Sequence, residues 1–470
     1  MKFKYILLLT SIGFAGCKIP ALVSKQENKT VPGYYNTVQD STNIAAIKWR
    51  QYFNDPYLIA IVDTALKNNQ ELNIALREIE IDKNEIQSRK GEYLPFLNFG
   101  AVSGVEKTGR YTFDGLAEED LKARPESGPS HIGDFRIGVY ASWELDVWKK
   151  LRNAKKSATL KYLSTIEGRN FMITNLIAEV STAYYELLSL DNLLAIVEQN
   201  IELQKSALRM IKLEKEAAKV TQLAVNRFEA QLLHTQNLQY TIHQNIVEAE
   251  NKINFLSGSF SHHIARTKGS LNDIPVELIQ SGIPTQLLLN RPDIRQAELA
   301  LAGSKLDVQI ARANFYPSFR LSAGTGFTAF NPSFVFRPES ILFNFVGDAV
   351  APLINKNGIK AAYKNSNEKQ IIAAYEYERS ILSAFVEVVN HLSFIDNYRK
   401  SYETKSKEVE ILNQSIDISN KLFIATKADY IEVLLTQREA LDARIELIET
   451  KLNQLKAKVN IYRSLGGGWN

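Results

Sequence analysis

From Ile173 an apolar stripe passes through Ile177, Val180, Tyr184, Leu187, Leu190, Leu194, Val197 and Ile201 to Leu208 and Ile211. Its steps of three or four residues mark one face of a helix, with Glu, Lys, Gln and Asn filling the others. Neither Gly nor Pro occurs in residues 169–257, nor in 359–465. Loops draw on those two residues, so each block reads as long helix in which a turn is hidden. A helix over 155–216 would reach ~93 Å at ~1.5 Å per residue; a stack of shorter helices is the alternative. In the first block the turn is expected at Ala217, Ala218, Lys219, Val220 and Thr221, where two β-branched residues interrupt the run and Thr221 is a candidate N-cap. In the second it is expected at Thr426, Lys427, Ala428 and Asp429, because Asp429 and Glu432 have capping-box spacing. Each block is therefore predicted to be an antiparallel helical hairpin with a tight tip.

The segments between these blocks change period. Phe135, Ile137, Val139, Ala141, Trp143 and Leu145 alternate with more polar residues, and Phe319, Leu321, Ala323, Thr325 and Phe327 do the same. A period of two predicts strands with one apolar face. Residues 94–105 and 341–354 are less regular but rich in aromatic and β-branched residues. The order repeats: Pro317 in FYPSF stands 222 residues after Pro95 in YLPFL, Ile359 stands 208 after Leu151, and Glu387-Val388 stands 208 after Glu179-Val180. The drop in offset places a longer loop in the first copy, around 108–133. Each copy reads as helix, two-stranded hairpin, long helical hairpin. The strands have the length of tilted membrane-spanning strands, yet four cannot close a barrel, and the smallest membrane barrels use about eight. Strands in lipid would therefore have to be shared among several chains; the alternative is a soluble sheet packed on helices.

Composition narrows the class. The chain has 470 residues, with 45% hydrophobic and 23% charged, which excludes a disordered chain. Its net charge of +4 gives no electrostatic case for a nucleic-acid partner. A single cysteine excludes an internal disulfide framework or a Cys-rich metal site. That cysteine, Cys17, follows Lys2, Lys4 and a short apolar run over 5–15 that suits a signal-peptide core. Phe14-Ala15-Gly16-Cys17 resembles a bacterial lipobox, with Phe14 in place of the usual Leu. It predicts cleavage after residue 16 and lipidation of Cys17, the alternative being a secretory signal beside a chance cysteine. Acyl chains would add membrane affinity of ~0.8 kcal/mol per buried CH2.

The sequence as a whole resembles TolC/OprM-type outer-membrane efflux lipoproteins. The residues that carry this are NRPDIRQAE at 290–298, ARANFYPS at 311–318, WRQYFNDPYL at 49–58, WELDVW at 143–148 and LGGGW at 465–469. The resemblance implies an α+β membrane protein with two internal repeats. Its long helical hairpins would form a trimeric α-barrel in the periplasm, joined to a transmembrane β-barrel to which each protomer gives four strands. The chain would divide into a leader at 1–16, a first repeat at 17–258, an equatorial connector at 259–290 and a second repeat at 291–470. It implies as partners a homotrimer, outer-membrane lipid, a periplasmic adaptor and an inner-membrane transporter, usually a proton-driven pump. Two departures matter. The family's hairpin tips commonly carry Gly, where Ala218 and Thr426 stand here; adaptor contact by residues 217–221 and 426–429 is thus expected from position. The family's second hairpin often has Asp where Leu435 stands, so Ile431 and Leu435 are expected to form an apolar constriction gating by exclusion of water. The alternative is that Leu435 packs between helices.

No chemistry competes with this reading. His262-His263 lacks the Glu spacing and cysteines of a zinc site, and Gly466-Gly467-Gly468 lacks the Lys and helix of a phosphate loop. No enzyme activity and no cofactor is expected. The leading expectation is a passive small-molecule exit duct driven by a partner, which would leave cargo selection to the pump. A duct for secreted polypeptides and a non-conducting lipoprotein that spans the periplasm are the alternatives.

Overall fold

The structure, a computed structural model, describes residues 19–35, 42–106, 109, 111–112, 132–275 and 281–469. The leader 1–16, Cys17 and most of the long loop around 108–133 lie outside the described residues. The chain is mostly helical with one antiparallel sheet, and it divides into two compact units.

The first unit holds Ile79–Leu163, Glu298–Tyr375 and the described part of Met1–Gln26. Its sheet has strands β1 (Phe96–Glu106), β2 (Ile132–Leu145), β3 (Ser318–Ala329) and β4 (Ile341–Val350) in the order β1-β2-β3-β4. The two expected hairpins thus join into one sheet through β2 and β3, a pairing that no local pattern announces. Helices α2 (Gln70–Glu92), α3 (Lys150–Glu216), α5 (Pro292–Ala313) and α6 (Asn357–Ile424) lead to and from it. Within this unit Lys161 pairs with Asp82 at 3.1 Å, and the Ser157 hydroxyl donates to Asp307 at 2.8 Å. Helix α3 begins five residues before the expected start. The cause is Asp146, whose carboxylate accepts from the Leu151 and Arg152 N–H groups at 2.9 and 3.0 Å and satisfies first-turn donors. A small core of Ala311, Phe315 and Tyr363 takes Ile19 and Leu22 from the N-terminal segment.

The second unit holds Glu27–Glu78, Ser164–Ala297 and Glu376–Asn470. It contains α1 (Pro56–Asn68), α4 (Gln222–Leu256) and α7 (Tyr430–Ser464), with the greater part of α3 and α6. The predicted stripe on α3 becomes a series of small cores against α4. Ala183 and Leu187 meet Ala249 and Ile253; Val197 and Ile201 meet Ile242; Leu208 and Ile211 meet Ala224, Val225 and Phe228. Phe423, Tyr430 and Leu434 from the second hairpin pack on the last of these. Ile173, Leu190 and Leu194 are only half-buried.

Candidate channel wall and hairpin tips

The register of the sheet sorts its side chains by face. Leu97 pairs with Ala141, Ala141 with Ala323 and Ala323 with Phe345; Phe99 leads likewise through Val139 and Thr325 to Phe343. Because side chains alternate, these rows lie on one face. Across all four strands that face carries Leu, Phe, Val, Ile, Ala, Trp and Gly, with Ser103 and Thr325 as its polar members. The opposite face carries Asp134, Arg136, Glu144, Arg320 and Asp348 towards its two ends, and Asn98, Tyr140, Asn344 and several glycines between them, with Phe96 and Val102 on β1 and Leu342, Val346 and Val350 on β4 as its apolar members.

The apolar face is exposed. Phe343 is 85% accessible, Phe345 74% and Phe99 71%, so it does not pack on the helices as a soluble sheet would. Eleven paired rows join β1 to β2. At ~3.3 Å per residue and a tilt of ~40° they rise ~28 Å, close to the ~25 Å apolar band of an outer-membrane barrel. Aromatic groups mark both ends of the band, as at membrane interfaces. At one, Trp143 Nε1–H donates to the Tyr93 carbonyl at 3.1 Å, and Trp148, stacked on Tyr316 at 4.6 Å, donates to the Pro317 carbonyl at 2.7 Å. At the other, Phe330 meets Phe334 and Phe327 meets Phe336. Among the described residues, strands β1 and β4 each have a neighbour on one side only.

The tips are made by one backbone device used twice. Residues 217–221 join α3 to α4, and residues 425–429 join α6 to α7. At the first, the Ala218 N–H donates to Lys215 O and the Lys219 N–H to Glu214 O, both at 2.9 Å. At the second, the Thr426 N–H donates to Phe423 O at 3.0 Å and the Lys427 N–H to Leu422 O at 2.9 Å. This is the Schellman closure, and it puts its C′ residue in the left-handed region: φ is 56° at Ala218 and 57° at Thr426. Thr221 and Asp429 occupy the N-cap positions but make no side-chain cap bond, so the expected capping chemistry is absent there. The closure supplies the turn by itself.

Ile431 and Leu435 lie one turn apart on α7, on the face away from the buried Val433 and Gln437. Leu435 is 40% exposed within this chain. Beside the tips the two hairpins enclose a cavity of about 310 Å³, lined by Leu203, Met210, Phe228, Phe423, Tyr430 and Gln437 among others, which the sequence did not reveal. The sequence also left unassigned two arginines that fasten the helix bases, Arg266 half-buried and Arg291 buried. Arg266 donates to Asp191 at 2.9 Å and also bonds Glu250. Arg291 donates to Glu387 and Asp293, each at 2.7 Å, and to the Ser464 carbonyl at 3.0 Å. Burial disfavours the Arg291 charge, but the two carboxylates outweigh it and hold its pKa above the ordinary value. His263 is exposed and leans on Glu250 at 2.9 Å.

An exposed apolar sheet face, a more polar reverse face and long helical hairpins are the features of an outer-membrane channel protein. The sequence pattern of the outer membrane efflux protein family matches residues 61–259 and 283–467, so the chain belongs to that family. Among its relatives, the solvent efflux pump outer membrane protein SrpC of Pseudomonas putida is 27% identical over 478 residues, covering 100% of this chain and 99% of the relative. The probable outer membrane lipoprotein SilC of Salmonella typhimurium is 24% identical over 482 residues, again covering 100% and 99%. In fold, the chain is similar to the open state of the Neisseria gonorrhoeae MtrE outer membrane channel. The TM-score is 0.84 at 21% identity, covering 97% of this chain and 99% of that one.

Proposed function

We propose that the chain is one protomer of a homotrimeric, passive outer-membrane duct in a tripartite efflux system, exporting small molecules from the cell envelope. The observation that carries this is the sheet: an apolar face too exposed for water, and two edges whose unpaired backbone groups would each cost several kcal/mol in lipid. Copies of the chain, edge to edge, remove both problems, and three give a twelve-stranded barrel with the polar face towards the lumen. Exposed Leu233, Tyr240 and Val247, spaced by sevens on α4, offer a second seam for a neighbouring copy.

The finer assignments rest on this reading. The leader is residues 1–16, the first repeat 17–258, the connector 259–290 and the second repeat 291–470. Lipidated Cys17 anchors the mature chain in the outer membrane. Supporting the anchor, Ile19, two residues further on, packs against Phe315, three residues before β3 begins. The helical hairpins form the periplasmic tube. Residues 217–221 and 426–429 meet the periplasmic adaptor, and the adaptor links the duct to a proton-driven inner-membrane transporter. Ile431 and Leu435 form an apolar collar that sheds water.

Planar-bilayer recording tests both levels. Protein purified from the outer-membrane fraction as a trimer is expected to give discrete conductance steps, which a tether would not. Replacing Ile431 and Leu435 by Ser should raise the step size; an unchanged step would remove the collar and leave the duct standing.

A further inference from the structure

We infer that Tyr140 sets the bore of the membrane duct, and that Gly100 and Gly324 are small so that its ring can recline against the wall. This rests on the reading of the polar sheet face as the lumen wall. Tyr140 is the one aromatic side chain in the middle rows of that face, directly opposite Asn98 on β1 and Gly324 on β3. On one side of it the face is stripped of side chains: Gly100, Gly138 and Gly326 form one continuous row across three strands, and Gly324 lies in the row of Tyr140 itself.

These glycines are of two kinds. A Cβ at Gly138 would stand 2.7 Å from the Thr325 carbonyl oxygen, and one at Gly326 would run into the Ile137 carbonyl oxygen. Both are required by the close approach of the β2 and β3 backbones. Gly100 and Gly324 meet side chains instead. A Cβ at Gly100 would lie 3.3 Å from Tyr140 Cε2, with nothing else but the same ring within reach. A Cβ at Gly324 would lie 2.9 Å from Tyr140 Cδ1 and 2.6 Å from Asn344 Oδ1. The two edges of one ring therefore occupy the space that side chains at 100 and 324 would fill. A ring held at the height of a Cβ lies low on the wall. With either glycine enlarged, the only free direction for it is into the lumen, at three places in a trimer.

The experiment measures single-channel conductance with Ile431 and Leu435 both replaced by Ser, so that the tips do not limit flow. Gly324→Ala and Gly100→Ala should each lower conductance, with a larger loss for a bulky organic cation than for potassium. The loss at Gly100 should vanish when Tyr140→Ala is added, because nothing but the ring meets a Cβ there. Equal conductance in both glycine variants, or a loss at Gly100 that persists without Tyr140, would overturn the inference. The underlying reading has its own control. A water-soluble maleimide should label Ser322→Cys on the polar face above the unsubstituted protein and should not label Val139→Cys on the apolar face. The reverse pattern would remove the lumen assignment itself.

Discussion

Four long helices of this chain end in the same hydrogen-bonded closure, two at the hairpin tips and two at the hairpin bases, yet only the bases use glycine. At the base of the first hairpin, the Gly258 N–H donates to Phe255 O at 3.0 Å and the Ser259 N–H to Asn254 O at 2.9 Å. At the base of the second, the Gly466 N–H donates to Arg463 O at 2.9 Å and the Gly467 N–H to Tyr462 O at 3.0 Å. Their φ values, 64° and 90°, lie in the same left-handed region as Ala218 and Thr426. What differs is the surroundings. A Cβ at Gly258 would collide with the Asn68 carbonyl, and one at Gly466 would stand 2.5 Å from the Asn290 carbonyl oxygen. The tip residues are exposed. Left-handed backbone alone is tolerable for an ordinary residue at ~1–2 kcal/mol; left-handed backbone pressed under another segment demands glycine. The repeat extends to the fasteners: Asn69 Nδ2 donates to the Leu256 carbonyl where Arg291 donates to Ser464, both at 3.0 Å.

The largest way to break this contrast is at the bases. Gly258→Ala and Gly466→Ala add a backbone collision to the strain and should each cost about 3 kcal/mol or more. Thermal melting of the detergent-solubilised protein reads this directly. A loss no greater than ~1–2 kcal/mol, the size of the tip strain, would show that the Asn68 and Asn290 carbonyls yield easily and that the contrast is accidental.

The same contrast explains how much was legible in the sequence. The long helices, the turn positions and the four strands follow from local periods and from where Gly and Pro are missing, because those signals are written within a few residues. The glycines of the polar sheet face, the Arg266 and Arg291 fasteners and the β2–β3 pairing join residues up to 194 apart in number, from Phe135 to Ala329, and no local pattern encodes such partners. Ala218 and Thr426 show a further limit. Their sequences suggest side-chain capping, but the Schellman closure is a backbone device that any residue able to pay the left-handed strain can serve. For the channel wall, alternation revealed an apolar face on β2 and β3, while Tyr140 gained meaning only when the register set it between Gly100 and Gly324.

A smaller effect sharpens the tips. Ala218→Gly and Thr426→Gly should remove left-handed strain of ~1–2 kcal/mol, offset by the ~0.4–1 kcal/mol that glycine adds to the freedom of the unfolded chain. A net gain of about 0.5–1 kcal/mol is expected in denaturant melts, larger at Thr426, whose β-branched side chain fits that region worst. A loss at either site would mean that the side chain makes a contact which outweighs the strain, and the tips would no longer be governed by backbone alone.

The smallest effect separates the two bases from each other by pH. His391 lies on α6 in the second base, and Ala183, 208 residues earlier, holds the matching place in the first. Burial lowers the His391 pKa below its ordinary ~6.5. Arg463 and Arg291 push the same way, and Glu387 opposes them. The unfolded chain therefore binds a proton at a pH where the folded chain does not, and stability must fall as the pH drops below ~6.5 towards the lowered folded value. Glu186 acts in a different window. Burial raises its pKa, but Lys456 and Lys252 outweigh that and the net shift is downwards, so its contribution is lost only below pH ~4.5. Between pH 6.5 and 5 the slope of melting temperature against pH should consequently belong to His391, and His391→Gln should flatten it. An unchanged slope in that variant would place the titrating group elsewhere and remove the electrostatic difference between the two bases.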